Sequence, residues 1–191
     1  MDLAGFFSDA DDYITTKLES TSTSPMTGQT VKTYKYTNVN RAKTYGVEAS
    51  VKRTFDACGL TPYLSGTWMK RKFETEDRST ENTKTPELSG RLGLKYEKAL
   101  TGTPVLIWTD LWVRASSASD EDEEQDDGTY KVITNHGWET LNLSLGTELG
   151  DEGQYRFSIN LNNILDKAYS TARNSLDGAG FHAVARVDVA F

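Results

Sequence analysis

Apolar and polar residues alternate along much of this chain. In 180–191 every odd position is apolar, whereas His182, Arg186 and Asp188 occupy even positions. The same period of two is found in 91–96, 141–149 and 155–162. This period is typical of a β-strand with one apolar and one polar face. Since few stretches have a helical period, we predict an all-β fold.

Blocks rich in Val, Thr, Tyr, Ile, Trp and Phe predict eight strands. They cover roughly residues 3–18, 33–55, 60–74, 88–98, 105–116, 138–149, 154–165 and 180–191. Short connections rich in Gly, Asp or Pro lie at 56–59, 99–104 and 150–153. Long polar connections lie at about 19–32, 75–87, 117–137 and 166–179. Because long and short connections alternate strictly, an up-and-down antiparallel sheet would have all its short turns at one end.

The alternation by itself does not decide what the apolar faces contact. A soluble barrel turns its apolar face inward, whereas a membrane barrel turns it outward to lipid and lines its interior with polar residues. A Greek-key sandwich gives no reason for the regular long and short connections. An aromatic row next to the short turns is typical of the girdle of a membrane barrel. We assign five residues to this row: Phe55, Tyr63, Tyr96, Tyr155 and Phe191.

Composition excludes several functional classes. The net charge of −7, with 21 Lys and Arg against 28 Asp and Glu, argues against a nucleic-acid partner. The single cysteine, Cys58, excludes an internal disulfide framework and any multi-cysteine metal site. The two histidines have no metal-ligand spacing, and no nucleophile elbow is present. We therefore expect no catalytic residues, no metal and no cofactor.

The run 119–128 contains seven carboxylates and is the most acidic part of the chain. Such a run could gather Ca²⁺, but the EF-hand frame fails because Gln125 or Asp127 stands where that loop needs glycine. We interpret the run as a solvated or disordered loop. Binding of divalent cations, such as those that bridge lipopolysaccharide, is the alternative.

Four stretches together resemble the TonB-dependent receptors of bacterial outer membranes. The first, 36–51, is similar to a strand motif of that family, with Asn38, Gly46 and Glu48 at matching places. The stretch 159–170 resembles the family's penultimate strand and loop, although Ile164 stands near its usual aromatic. Its matching residues are Asn162, Leu165, Asp166, Lys167 and Tyr169. The stretch 6–18 resembles the preceding strand, and the last strand resembles the C-terminal assembly signal, with Val187, Val189 and Phe191.

The resemblance implies that residues 1–191 form the last eight or so strands of a 22-stranded transmembrane β-barrel in the outer membrane. The plug domain and earlier strands would then precede Met1, and no signal peptide is expected at this start. The implied function is active uptake of a metal chelate, haem or cobalamin. Implied partners are outer-membrane lipid and lipopolysaccharide, the barrel assembly machinery, a small-molecule ligand, and TonB through the plug. The polar faces would line the lumen through Arg91, Lys95, Asn142, Ser144, Arg156, Asn160, Arg186 and Asp188.

Two alternatives remain open from the sequence. A self-contained eight-stranded outer-membrane barrel, acting as an adhesin or structural protein, would pair its first and last strands. A soluble lipocalin-like barrel would instead keep its apolar faces inside around a ligand.

Overall fold

The computed structural model describes residues 1–75, 78–125, 127–150, 152–171 and 177–190, apart from the side chains of 15, 17 and 38–40. Regular structure in these ranges consists of eight long strands and three short ones. The long strands are β1 (Asp2–Thr23), β2 (Thr30–Lys52), β3 (Leu60–Glu74), β5 (Leu88–Ala99), β6 (Val105–Ser116), β9 (Trp138–Leu149), β10 (Tyr155–Asn162) and β11 (His182–Val189). The short ones are β4 (Ser79–Thr80), β7 (Ser119–Glu124) and β8 (Tyr130–Asn135). The described ranges hold no helix with the length and apolar character to cross a membrane.

The long strands form one antiparallel sheet in the order β1-β2-β3-β5-β6-β9-β10-β11, with β4 paired to β3. The predicted all-β, up-and-down topology is therefore confirmed. Each of the three short turns contains a glycine with positive φ, namely Gly59, Gly102 and Gly150. Glycine adopts this conformation without a steric penalty, so tight reversal is possible at these places. β1 and β11 lie at opposite edges and do not pair within the described residues, so the sheet does not close.

The sheet is inverted relative to a soluble protein. One face, here called the outer face, carries exposed apolar side chains such as Leu92, which is 60% exposed, and Val187, which is 63% exposed. On the other face, here called the cavity face, Thr140, Asn142 and Ser144 are each only 6% exposed. A soluble barrel with an apolar interior would show the reverse arrangement. The soluble lipocalin-like alternative is therefore wrong.

Aromatic residues border the apolar part of the outer face at both ends. Toward the short turns lie Phe55 and Tyr155, which are exposed, and Tyr96, which is half-buried. Near the long connections lie Phe7, Tyr45 and Trp68, a second row that the sequence analysis did not predict. Phe191 lies outside the described residues.

Tyr63 does not belong to the outer row, so this part of the sequence prediction is wrong. It pairs with Gly93, and its hydroxyl donates to Asp110 on the cavity face. A Cβ on Gly93 would come within 2.3 Å of the Tyr63 ring, so the glycine leaves the space that this ring fills. The register of β3 thus turns Leu64 and Trp68 outward and Tyr63 inward.

The connection predicted at 19–32 is mostly strand. β1 and β2 pair from Asp2 to Thr23, with one bulge between Leu18 and Ser20, and the chain reverses only at 24–29. At about 3.3 Å per residue, β1 extends for about 70 Å. A membrane strand needs about 9–11 residues, so this hairpin extends far beyond the apolar part of the sheet. Its polar sequence follows from that position, because neither face contacts lipid there.

The acidic run is folded, which corrects the interpretation of a solvated or disordered loop. Ser119–Glu124 pairs with Tyr130–Asn135 as the β7-β8 hairpin. Asp122 is only 7% exposed and accepts hydrogen bonds from Arg78, Thr80 and Asn82. Two further ion pairs join this hairpin to the connection before β5 and to the start of β2: Lys84–Glu121 at 2.9 Å and Lys32–Glu123 at 2.6 Å. Basic residues of two other segments thus pair with three of the carboxylates of this run.

Candidate ligand-binding cavity

The cavity face curves around an open space of about 1220 Å³ near the long connections. Asp2 of β1 and His182 of β11 both line it, so strands from both edges of the sheet surround one space. A second space of about 650 Å³ lies nearer the short turns. All eight polar residues that the sequence predicted for the lumen line one space or the other. The curvature of the sheet thus brings together residues that are up to about 100 positions apart in the sequence.

The second space is electrostatically balanced. Lys95 pairs with Glu97 at 2.8 Å. Arg156 lies 3.6 Å from Glu148, and Arg186 lies 2.6 Å from Asp188. These pairs place equal numbers of cations and carboxylates on this part of the face.

A polar network lies at the junction of the two spaces. Asp110 accepts hydrogen bonds from the Tyr63 hydroxyl at 2.8 Å and from Arg91 at 2.8 Å. The Arg91 guanidinium also lies 4.2 Å from the centre of the Trp112 ring and 5.1 Å from that of Tyr63. Adjacent strands supply these groups from β3, β5 and β6, so the sheet register fixes their positions. Such a network holds the guanidinium in place at the cavity wall.

A second guanidinium lies closer to the long connections. Arg114 is 5.2 Å from the centre of the Trp138 ring. Trp138 is only 8% exposed and packs against Tyr169, with ring centres 4.8 Å apart. The stack therefore joins β6, β9 and the connection that follows β10.

Asn163 anchors that connection, and the sequence motif did not identify it. It is 2% exposed and has φ of 48°. Its amide donates to the carbonyls of Lys167 and Ala179, its side-chain oxygen accepts from Lys167 N, and its own N donates to Asn142. Asn162, the residue chosen from the motif, lines the cavity instead. The sequence did offer one signal for Asn163: asparagine is one of the few residues other than glycine that tolerate a positive φ.

The other motif residues have varied surroundings. Asp166 accepts from Phe181 N at 2.7 Å, Lys167 pairs with Glu139, and Leu165 is 72% exposed. Gly46 lies where a Cβ would come within 2.3 Å of the Trp68 carbonyl. Glu48 lines the larger cavity, Val187 and Val189 are exposed on the outer face, and the Asn38 side chain lies outside the described residues.

No group of three or more His, Cys, Asp or Glu residues with metal-binding geometry occurs in the part of the chain that the structure describes. Cys58 is exposed in the first short turn, and its thiol donates a hydrogen bond to the Phe55 carbonyl at 3.5 Å. The described residues that line the two spaces include cations, carboxylates, aromatic rings and amides.

Comparison with known proteins gives the family. Residues 1–164 match the family described as TonB dependent receptor-like, beta-barrel. No curated protein matches the sequence. The fold is similar to the FrpB iron transporter from Neisseria meningitidis (F3-3 variant), with a TM-score of 0.61, 14% identity and coverage of 97% of this chain. It is also similar to the siderophore receptor PirA from Acinetobacter baumannii, with a TM-score of 0.58, 17% identity and coverage of 95% of this chain.

The chain spans 28% of each of these two proteins. Receptor barrels of this kind are outer-membrane proteins of bacteria, and the matched proteins are receptors and transporters. The inverted sheet, its alternating connections and the match over 1–164 agree with one another. The chain belongs to the TonB-dependent receptor β-barrel family.

Proposed function

We propose that this chain forms part of an outer-membrane receptor that imports a scarce nutrient, with an iron chelate as the first candidate. The observation that carries the proposal is the inverted sheet, in which apolar side chains face outward and polar side chains line an open cavity. Lipid would cover the outer face, and the aromatic rows would lie at its two interfaces. The long connections would then lie outside the cell.

The unpaired edges support a wider barrel. Lipid does not tolerate open strand edges, because backbone N–H and C=O groups there have no water to bind. β1 and β11 are both such edges within the described residues. We infer that further strands of the receptor pair with them, which also agrees with coverage of 28% of each solved relative. Coupling to TonB would depend on a plug outside this chain.

The function is tested in the source bacterium under iron limitation. Radioactive iron would be supplied as citrate, catecholate, hydroxamate and haem complexes to cells with and without the gene. We expect deletion to lower the uptake rate of one complex about tenfold or more, because outer-membrane passage of a scarce chelate depends on its receptor. A proton uncoupler should lower the rate of the intact strain to the same level.

As a control, the deletion strain is complemented with a gene that carries Arg53→Gln. This substitution lies in the first short turn, outside both cavities. This variant should restore uptake fully. Recovery of the native polypeptide only in the soluble fraction would contradict the outer-membrane location. Unchanged uptake of all four complexes in the deletion strain would contradict the transport of iron.

A further inference from the structure

Two arginines lie directly opposite each other on the cavity face. Arg91 of β5 and Arg114 of β6 are cross-strand partners in the sheet register. Partners of this kind have Cβ atoms about 4.5–5.5 Å apart, and like charges in such a pair are destabilising. An anion between or beside the two guanidinium groups would remove this cost.

Among the described residues, one carboxylate pairs with these two guanidinium groups. Asp110 pairs with Arg91 at 2.8 Å, but it also accepts the Tyr63 hydroxyl. Arg114 has no carboxylate partner within the described residues. In addition, the Nε of Arg91 is buried and has no hydrogen-bond partner there. Arg114 therefore has N–H groups available for a further acceptor.

The other cavity-lining cations differ from this pair. Lys95, Arg156 and Arg186 each have a carboxylate partner of their own, as described above. The His182 ring is hydrogen-bonded to the Gly180 carbonyl at 3.0 Å. Among the described cations that line the two spaces, Arg114 is thus the one without a carboxylate partner, and the carboxylates of Asp2 and Glu48 line the same larger space.

Aromatic rings hold both guanidinium groups in the cavity wall. Arg91 lies over Trp112 at 4.2 Å, and Arg114 lies over Trp138 at 5.2 Å. A guanidinium that stacks by its face keeps its in-plane N–H groups available for a planar oxyanion. Because the rings restrict both side chains, less conformational entropy is lost when an anion binds.

We propose that Arg91 and Arg114 form a binding site for a carboxylate, and that the imported ligand carries this group. The proposal rests on the proposed receptor function. The same chemistry could come from an acidic side chain of another receptor segment that enters the cavity, so the test separates these two sources.

The test uses the complete receptor, purified in detergent, and two probes of nearly equal shape, 2-naphthoate and 2-naphthamide. Binding is followed by calorimetry. We expect the carboxylate to bind about tenfold more tightly than the amide, because charge-assisted bidentate bonds are much stronger than neutral ones. Arg114→Gln should remove this preference, and Arg114→Lys should retain part of it.

Arg53→Gln is the matched control, since Arg53 also lies over an aromatic ring, 5.0 Å from the centre of Phe55, but outside the cavity. It should leave the preference for naphthoate unchanged. Uptake assays on the same variants separate the two hypotheses. Uptake that persists while the preference is absent counts against the carboxylate site alone.

Thermal unfolding identifies the source of the anion. Suppose that neither probe binds, that Arg114→Gln lowers the unfolding midpoint more than Arg53→Gln does, and that high salt removes this difference. The carboxylate beside Arg114 then belongs to another segment of the receptor. Such a result supports a carboxylate site at Arg91 and Arg114 but overturns the proposal that the imported ligand carries the carboxylate. If no anion is bound, Arg114→Gln removes a like-charge repulsion and raises the midpoint, and this result overturns the proposal.

Discussion

At the scale of single residues, the buried Asn163 side chain stabilises the place where the chain turns after β10. Asn163 follows β10 in a left-handed conformation, and its side chain binds three backbone groups of the following connection. Its own N–H donates to Asn142 of β9. Buried polar groups without partners cost about 1–3 kcal/mol each. Loss of this one side chain therefore exposes several groups to that cost.

Asn163→Ala should lower the free energy of unfolding by about 1–3 kcal/mol and speed amide exchange in 164–171 and 177–181. Asn163→Gly separates the two causes, because glycine tolerates the positive φ but supplies no hydrogen bonds. The measurement is urea unfolding of the receptor in lipid vesicles. Asn162→Ala is the control, and equal losses in the two alanine variants would show that Asn163 has no special role.

Gly46 is required for close packing rather than for a positive φ. A Cβ there would lie 2.3 Å from the Trp68 carbonyl and 2.6 Å from the Phe6 ring. Gly46→Ala should therefore destabilise the sheet by about 1–3 kcal/mol through overpacking. At Gly66 the nearest contact would be 3.4 Å, so Gly66→Ala should have little effect in the same urea titration.

At the scale of elements, the β7-β8 hairpin is held by ion pairs to two other segments of the chain. Its carboxylates contact the start of β2 through Lys32 and the connection before β5 through Arg78 and Lys84. The Arg78 guanidinium also lies 3.6 Å from the centre of the Tyr130 ring. These contacts fix the hairpin by charge rather than by an apolar core, so its position should respond to pH and salt.

The Lys32 ammonium lowers the pKa of the Glu123 carboxyl below its ordinary value. A lowered pKa in the folded state means that this pair stabilises the hairpin above the unfolded pKa of about 4.3. The stabilisation is lost as the pH falls through the lower folded value. Spin labels on Met26→Cys and Lys131→Cys, in a Cys58→Ser background, should therefore move apart between about pH 5 and pH 3.

Asp122→Asn should produce part of the same separation at neutral pH, because Arg78 then faces a neutral amide. Asp127→Asn is the control, since its carboxylate bonds only with Thr129 in the adjacent turn within the described contacts. A constant label distance in Asp122→Asn and across the pH range would show that these ion pairs do not position the hairpin.

At the scale of the whole molecule, the orientation of the sheet determines which substitutions are tolerated. Leu92 and Ser89 lie on one strand but on opposite faces, the first outward and the second toward the cavity. Leu92→Arg should destabilise the barrel by about 2–4 kcal/mol, because it places a charge in lipid near the middle of the membrane. Ser89→Arg should have a much smaller effect. Folding yield and urea midpoints in vesicles measure both, and equal effects would contradict an outward lipid face.

Much of the fold follows directly from local pattern. The eight predicted blocks coincide with the eight long strands to within a few residues at most ends, because a period of two and glycine-rich turns are local signals. The pattern failed at 19–32 and 117–137, where polar strands pair without an apolar face. It also failed at Tyr63, since aromatic character does not reveal which face a residue occupies.

The sequence by itself determined the strands, their up-and-down order, the alternation of connections and the family, because each of these depends on neighbouring residues or on short motifs. Only the tertiary structure decided that the apolar faces point outward. It also brought Arg91 opposite Arg114 and placed the acidic hairpin on Lys32, Arg78 and Lys84. The physical reason is that such contacts depend on strand register and sheet curvature, which combine residues far apart in the chain.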